Sequence, residues 1–125
     1  MASGTIKHYM QKADADNKSF DSISYITSRA TGVSGGINIM GAKAFLNIKF
    51  RANATASNSP QIGTLSSGTF PRLEVAASCI DITSGISSSI TSAVPAGIST
   101  EGKIYVKEIT TDHIYALTCA YVADI

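Results

Sequence analysis

The longest regular feature of the chain is an alternation. From Ala42 to Ala54, the residues Ala44, Leu46, Ile48, Phe50, Ala52 and Ala54 interleave with Lys43, Phe45, Asn47, Lys49, Arg51 and Asn53. A period of two with one apolar and one mostly charged face predicts an antiparallel strand with one wet side. Asn58-Ser59-Pro60 interrupts it, and a second apolar stretch, Gln61 to Leu65, stops at Ser66-Ser67-Gly68; together they predict a hairpin. Arg72 to Ile82 is apolar almost throughout, as expected of a strand covered on both faces and running through the middle of a sandwich. Between Thr83 and Thr100, Ile86, Ile90, Val94 and Ile98 recur every four residues, but Gly85, Pro95 and Gly97 interrupt a helix. Short strands with loops are the preferred expectation there, with a helical turn at Ser87 to Ser92 as the alternative. Ser99 to Lys103 supplies a Gly-containing turn before Ile104 to Ile109, and Thr110-Thr111-Asp112 separates that run from His113 to Val122, which predicts a meander. Weaker strand candidates lie upstream at Ile6 to Met10, Phe20 to Thr27 and Val33 to Met40, with Gly35-Gly36 allowing a bulge or tight bend. Eight to ten strands with polar turns predict an all-β fold, an antiparallel β-sandwich or jelly-roll-like barrel.

Composition supports the same class. Ile occurs 16 times and Val 5 times against 4 Leu, and 17 Ser with 12 Thr supply turns and strand surfaces. With 125 residues, 44% hydrophobic and 15% charged, the chain fits one domain and is too apolar for disorder. Met1-Ala2-Ser3-Gly4 reads as a start and linker, leaving residues 5–125 as a single β-sandwich domain. A net charge of +1 lacks the basic excess that nucleic acid would reward, and no apolar run reaches the roughly 18 residues of a membrane span. Neither nucleic-acid binding nor membrane insertion is expected.

Candidate chemistry is thin. Cys79 and Cys119 each lie in an apolar stretch, and buried free thiols are the plain expectation, with a single bridge between neighbouring strands as the alternative. Gly32-Val33-Ser34-Gly35-Gly36 matches the nucleophile-elbow spacing, but the strand-like Ile37-Asn38-Ile39-Met40 follows it where a helix is required, so a Gly-rich turn accounts for it better. Asp14-Ala15-Asp16-Asn17 opens like a calcium loop yet lacks the later glycine and glutamate, and reads as a polar turn. His8 and His113 are too few for a metal site within one chain, and the nine acids show no pair selected by spacing for glycoside cleavage. No catalytic residue, metal or cofactor is expected. Of the five tyrosines, Tyr9, Tyr25, Tyr105, Tyr115 and Tyr121, Tyr105 alternates out of phase with Ile104 and Val106 and is the best candidate for exposure. A tyrosine ring with its polar tip suits stacking on sugar rings and subunit interfaces.

Ile62-Gly63-Thr64-Leu65-Ser66-Ser67-Gly68 with Phe70-Pro71-Arg72, the run from Gly97 to Val106, and the closing strand Ile114 to Val122 carry a resemblance. From about Gln61 to Asp124 the chain resembles the terminal head domains of bacteriophage tail fibres and baseplate receptor-binding proteins, including those of prophages in Gram-positive bacteria. The resemblance implies a non-enzymatic head made in the bacterial cytoplasm and carried in the virion tail. Such heads bind host surface polysaccharide as homotrimers and contact other tail proteins. Trimeric packing would also explain Phe45 on an otherwise charged face. A structural virion or tail assembly module without sugar binding is the alternative, and a polysaccharide depolymerase head the least favoured. Binding residues in these heads vary by loop, so none is carried over; if a cleft exists, Tyr105, Arg72, Asp81 and Asp112 are the candidates to line it.

Overall fold

A computed structural model describes residues 23–85 and 92–124. The expected strand at Ile6 to Met10, the polar turn at Asp14 to Asn17, the linker at Met1 to Gly4, and His8 and Tyr9 lie outside those residues, as does most of the Ser87 to Ser92 turn. What is described is all-β, without helix. Its nine strands are β1 (Ile23–Tyr25), β2 (Ala30–Met40), β3 (Lys43–Ala52), β4 (Gln61–Leu65), β5 (Val75–Asp81), β6 (Ser92–Ala93), β7 (Ala96–Ile98), β8 (Lys103–Val106) and β9 (Ile114–Val122). Every pairing is antiparallel, and the strand order β1-β4-β8-β7-β5-β9-β3-β2, with β6 on β5, forms a nearly closed, barrel-like sheet.

The alternation in β3 orients that strand. Ala44, Leu46, Ile48, Phe50 and Ala52 are buried, while Lys43, Phe45, Asn47 and Arg51 are exposed. Across the interior, Leu117 and Tyr115 of β9, Ile62, Ile98, Ile104 and Val106 complete a core in which the Phe50 and Tyr115 rings stack with centroids 5.4 Å apart. The buried polar groups have partners. The Tyr121 hydroxyl donates to the Thr69 carbonyl at 2.6 Å, the Thr69 hydroxyl donates to the Ser66 carbonyl, and the Tyr115 hydroxyl accepts from the Thr110 N–H at 2.9 Å.

Three expectations about strand pairing and coverage are corrected. β3 and β4 do not form a hairpin: β3 lies between β2 and β9, and β4 between β1 and β8. The intervening segment instead crosses an end of the barrel, where Ala56 bridges Ile109. The meander also breaks after β8. The β7–β8 hairpin forms, but β9 leaves it to pair with β3 and β5. Finally, β5 is not covered on both faces, since Ala76 and Ser78 are exposed; small side chains extended the apolar run in sequence while lying on the wet side. Its middle place in the strand order does hold. The upstream strands are real but shifted. β2 begins at Ala30, and its register slips between Gly32 and Ser34 rather than at Gly35-Gly36, so the nucleophile-elbow lookalike lies inside a strand and not in a turn.

Two local features shape the surface. β6 and β7 run along β5 in one register, and the Val94 N–H bonds the Cys79 carbonyl between them, so they are a single strand interrupted where Pro95 has no N–H to donate. β5 meets β9 only from Ser78 to Asp81. Towards its N-terminus the two strands part, Cys119 Sγ reaches the Ala76 carbonyl at 3.5 Å, and the chains rejoin where the Arg72 N–H bonds the Val122 carbonyl. The ends of the sheet, β1 and β2, come together through a turn at Ile26, with the Tyr25 ring lying against Gly32. A Cβ at Gly32 would stand 2.6 Å from that ring.

Candidate functional site

The outer surface around β8 holds the arrangement best suited to binding. Tyr105 of β8 stands opposite Gly97 of β7 and beside Gln61 of β4, and Gly97 in turn faces Ala76 of β5. With no side chain at Gly97 and only a methyl at Ala76, the half-buried Tyr105 ring rises as a ridge between two shallow grooves. The first, of ≈330 Å³, carries Glu74 and Ser99 on its walls; the second, of ≈260 Å³, carries Ser59 and Lys107. Its floor is tightly built, since a Cβ on Gly97 would come within 3.2 Å of the Val75 carbonyl.

The wall at Ser59 is held in an uncommon conformation. Asn58 and Ser59 both have positive φ, 70° and 56°, immediately before Pro60. Asn tolerates that region through its short polar side chain, whereas Ser before Pro is disfavoured there. The conformation is fixed from outside, by the Ser59 N–H on the Lys107 carbonyl at 2.9 Å and the Pro60 carbonyl accepting from Val106. Strain of this kind, enforced by surrounding bonds, concentrates at binding sites. The ridge thus offers an aromatic face with a carboxylate on one side and an ammonium on the other, which suits a ligand with an apolar ring face edged by hydroxyls.

A second polar cluster joins the far end of β5 to the start of β9. His113 Nδ1 lies 2.6 Å from Asp81 Oδ2, the Thr83 N–H and hydroxyl both donate to Asp81 Oδ1, and the Ile114 N–H donates to the Thr83 hydroxyl. Burial pushes the Asp81 carboxyl up, but the Thr83 hydrogen bonds and the facing His113 ring outweigh it and hold the group below the ordinary carboxylate range. These bonds tie the end of β5 and the residues after it to the start of β9, as a latch between strands. Cys79 and Cys119 are free, and burial pushes both thiols up, Cys79 to about 12 with the Asp81 carboxylate adding to the effect.

The four residues singled out by sequence therefore fall into two places. Tyr105 forms the ridge, and Arg72 edges the neighbouring slit between β5 and β9, which shares Glu74 and Val75 with the first groove. Asp81 and Asp112 lie near the opposite end of β5, about 20 Å away at strand spacing. Asp81 is bonded to His113, and Asp112 is in the adjacent turn, at φ 68°, with its N–H on the Ala52 carbonyl. Sequence reasoning missed Glu74, Ser99 and Lys107, which come to Tyr105 through strand pairing. Glu74 and Lys107 were charged breaks in the apolar runs Arg72 to Ile82 and Ile104 to Ile109, and Ser99 carried no local signal. Of the other tyrosines, Tyr115 and Tyr121 are core and Tyr25 is packed at the seam. Compared with known proteins, the chain matches no family model, and no curated protein matches it in sequence.

Proposed function

We propose that this chain is the non-enzymatic receptor-binding head of a bacteriophage tail fibre, carried in the virion tail, and that it binds host cell-surface saccharide as a homotrimer. The observation that carries this reading is the Tyr105 ridge flanked by Glu74 and Lys107. The ring stacks on the apolar face of a pyranose, while the carboxylate and ammonium bond its hydroxyls. Among the described residues Glu74 is the one carboxylate lining the two grooves, which favours holding a sugar over cleaving one, because glycoside hydrolysis uses two. The all-β, barrel-like sheet agrees with the resemblance over Gln61 to Asp124, and a multivalent tip converts weak single contacts into firm attachment.

The test is capture of the full chain by an array of bacterial surface polysaccharides, followed by titration of the strongest hit. Tyr105→Ala is expected to weaken binding about tenfold or more, the loss typical of an aromatic anchor. Glu74→Gln and Lys107→Gln are expected to weaken it less, with the circular dichroism spectrum unchanged in all three. Absence of any hit, or a hit indifferent to all three substitutions, overturns the saccharide site and favours an assembly module.

A further inference from the structure

The first groove beside Tyr105 does not end at β5. It reaches Glu74 and Val75, and both residues also line a slit of ≈340 Å³ that opens between β5 and β9. The slit exists because the two strands part. Their ladder stops at Ser78 opposite Thr118, and where continued pairing would set Ala76 against Ala120, the Cys119 thiol donates to the Ala76 carbonyl at 3.5 Å. Four residues back along the chain the Arg72 N–H bonds the Val122 carbonyl at 2.9 Å, which closes the other end. The walls between these two closures are apolar. Leu73 and Val122 stand on the outside, 76% and 48% exposed, and Val75 is half-buried. The buried Tyr121 ring completes the lining, with its hydroxyl already bonded to the Thr69 carbonyl.

Chemistry and shape select what fills it. A groove with an aromatic ridge and a carboxylate suits a sugar ring, but a hydroxyl pushed between Leu73, Val75 and Val122 would leave water without a replacement hydrogen bond. A slit closed at both ends also has no path for a polymer running through it. A short acyl group meets both conditions. Its methyl end takes Leu73 and Val122 out of water, and its carbonyl oxygen accepts from the Arg72 guanidinium, which lines the slit and has no ion-pair partner among the described residues. The room is ample, since one water takes about 30 Å³. Reach fits as well: β5 lies two strands from β8, about 10 Å, so a substituent on a sugar stacked at Tyr105 enters the slit along the continuous wall of Glu74 and Val75.

We propose that the slit between β5 and β9 binds a short acyl substituent, an O-acyl ester or an N-acyl amide, of the saccharide whose ring stacks on Tyr105, and that Leu73, Val75 and Val122 thereby select acylated over bare sugar. This rests on the saccharide reading above and adds a second contact to it. The test takes the polysaccharide captured most strongly by the full chain and titrates it in four forms: as isolated, after mild alkali, which removes esters and spares amides, after N-deacylation, and after re-acetylation with acetic anhydride. One of the two stripping treatments is expected to weaken binding about fourfold or more, the worth of one buried methyl-sized group, and re-acetylation to restore it. Two variants locate the effect. Leu73→Ala removes a wall and Val122→Phe fills the space; in both, the ratio of affinities for native and stripped polymer is expected to fall towards one, with circular dichroism unchanged because both side chains are exposed. Capture of no polysaccharide overturns the saccharide reading and the slit with it. A Tyr105-dependent hit that carries no acyl group, or that binds equally well after both treatments, overturns the slit alone and leaves the ridge standing. A loss that re-acetylation does not reverse, or that is as large in both variants as in the wild type, places the effect outside the slit and overturns it too.

Discussion

Asp81 is a carboxylate whose charge the fold ties down with several hydrogen bonds. It holds two Thr83 donors and the His113 ring at once, and its carboxyl is kept below the ordinary carboxylate range. Because the folded group is the stronger acid, the fold binds fewer protons there than the unfolded chain. The stabilisation is present above the unfolded carboxylate pKa of about 3.9 and is lost as pH falls through the lower folded value. Thermal unfolding followed from pH 6 downward is expected to show the midpoint falling through the acid range. Asp81→Asn should flatten that fall and cost about 1–3 kcal/mol at neutral pH, since it weakens a hydrogen-bonded carboxylate contact. Tyr121→Phe tests a different buried bond. It leaves the Thr69 carbonyl without its donor, and the expected loss in urea denaturation is about 1–3 kcal/mol with an unchanged m-value. The thiols give a third check. With both pushed up by burial, Cys79 and Cys119 should react with a thiol reagent at neutral pH far more slowly in the native protein than in denaturant.

Individual strands were legible where a side-chain period was strict, and pairing was legible only at the β7–β8 hairpin around the Ser99 to Lys103 turn. The alternation in β3 identified all five of its buried residues, and Gln61 to Leu65 coincides with β4. A one-face period states which side of a strand is dry but is silent about its neighbours, so the β3–β4 hairpin and the β8–β9 turn were both assigned to adjacent segments that the fold sends to different partners. β5 failed for another reason: Ala76 and Ser78 are small enough to occupy a wet face without declaring it. The candidate site shows the same division. Tyr105 stood out because it broke the phase of its own strand, whereas Glu74 and Lys107 reach it only through the β5–β7–β8 register. Likewise Asp81 could be named, but its partner His113 is 32 positions away. The two faces of β3 make a direct test of the element. Leu46→Ala should cost about 2–5 kcal/mol and Phe45→Ala, one residue away on the outer face, no more than about 0.5, measured by denaturant unfolding at low protein concentration.

At the scale of the whole molecule, the sheet is assembled from distant parts of the chain. β1 pairs with β4, β4 with β8, and β3 with β9, while β2–β3, β5–β6 and β7–β8 pair strands consecutive in the chain. Pairings of that span place folding in the millisecond-to-second range typical of all-β domains. Stopped-flow refolding is the measurement, and a sub-millisecond phase carrying the full native signal would contradict it. The position of β9 sharpens the point. It is the latest strand along the chain yet sits between β3 and β5, with its first turn latched through His113 to Asp81. During synthesis, β3 and β5 leave the ribosome without the strand that separates them, and their apolar edges have only each other or a neighbouring nascent chain to pair with. A protein built this way completes its sheet after β9 has emerged, so its vulnerability to aggregation is concentrated in the interval before that strand arrives.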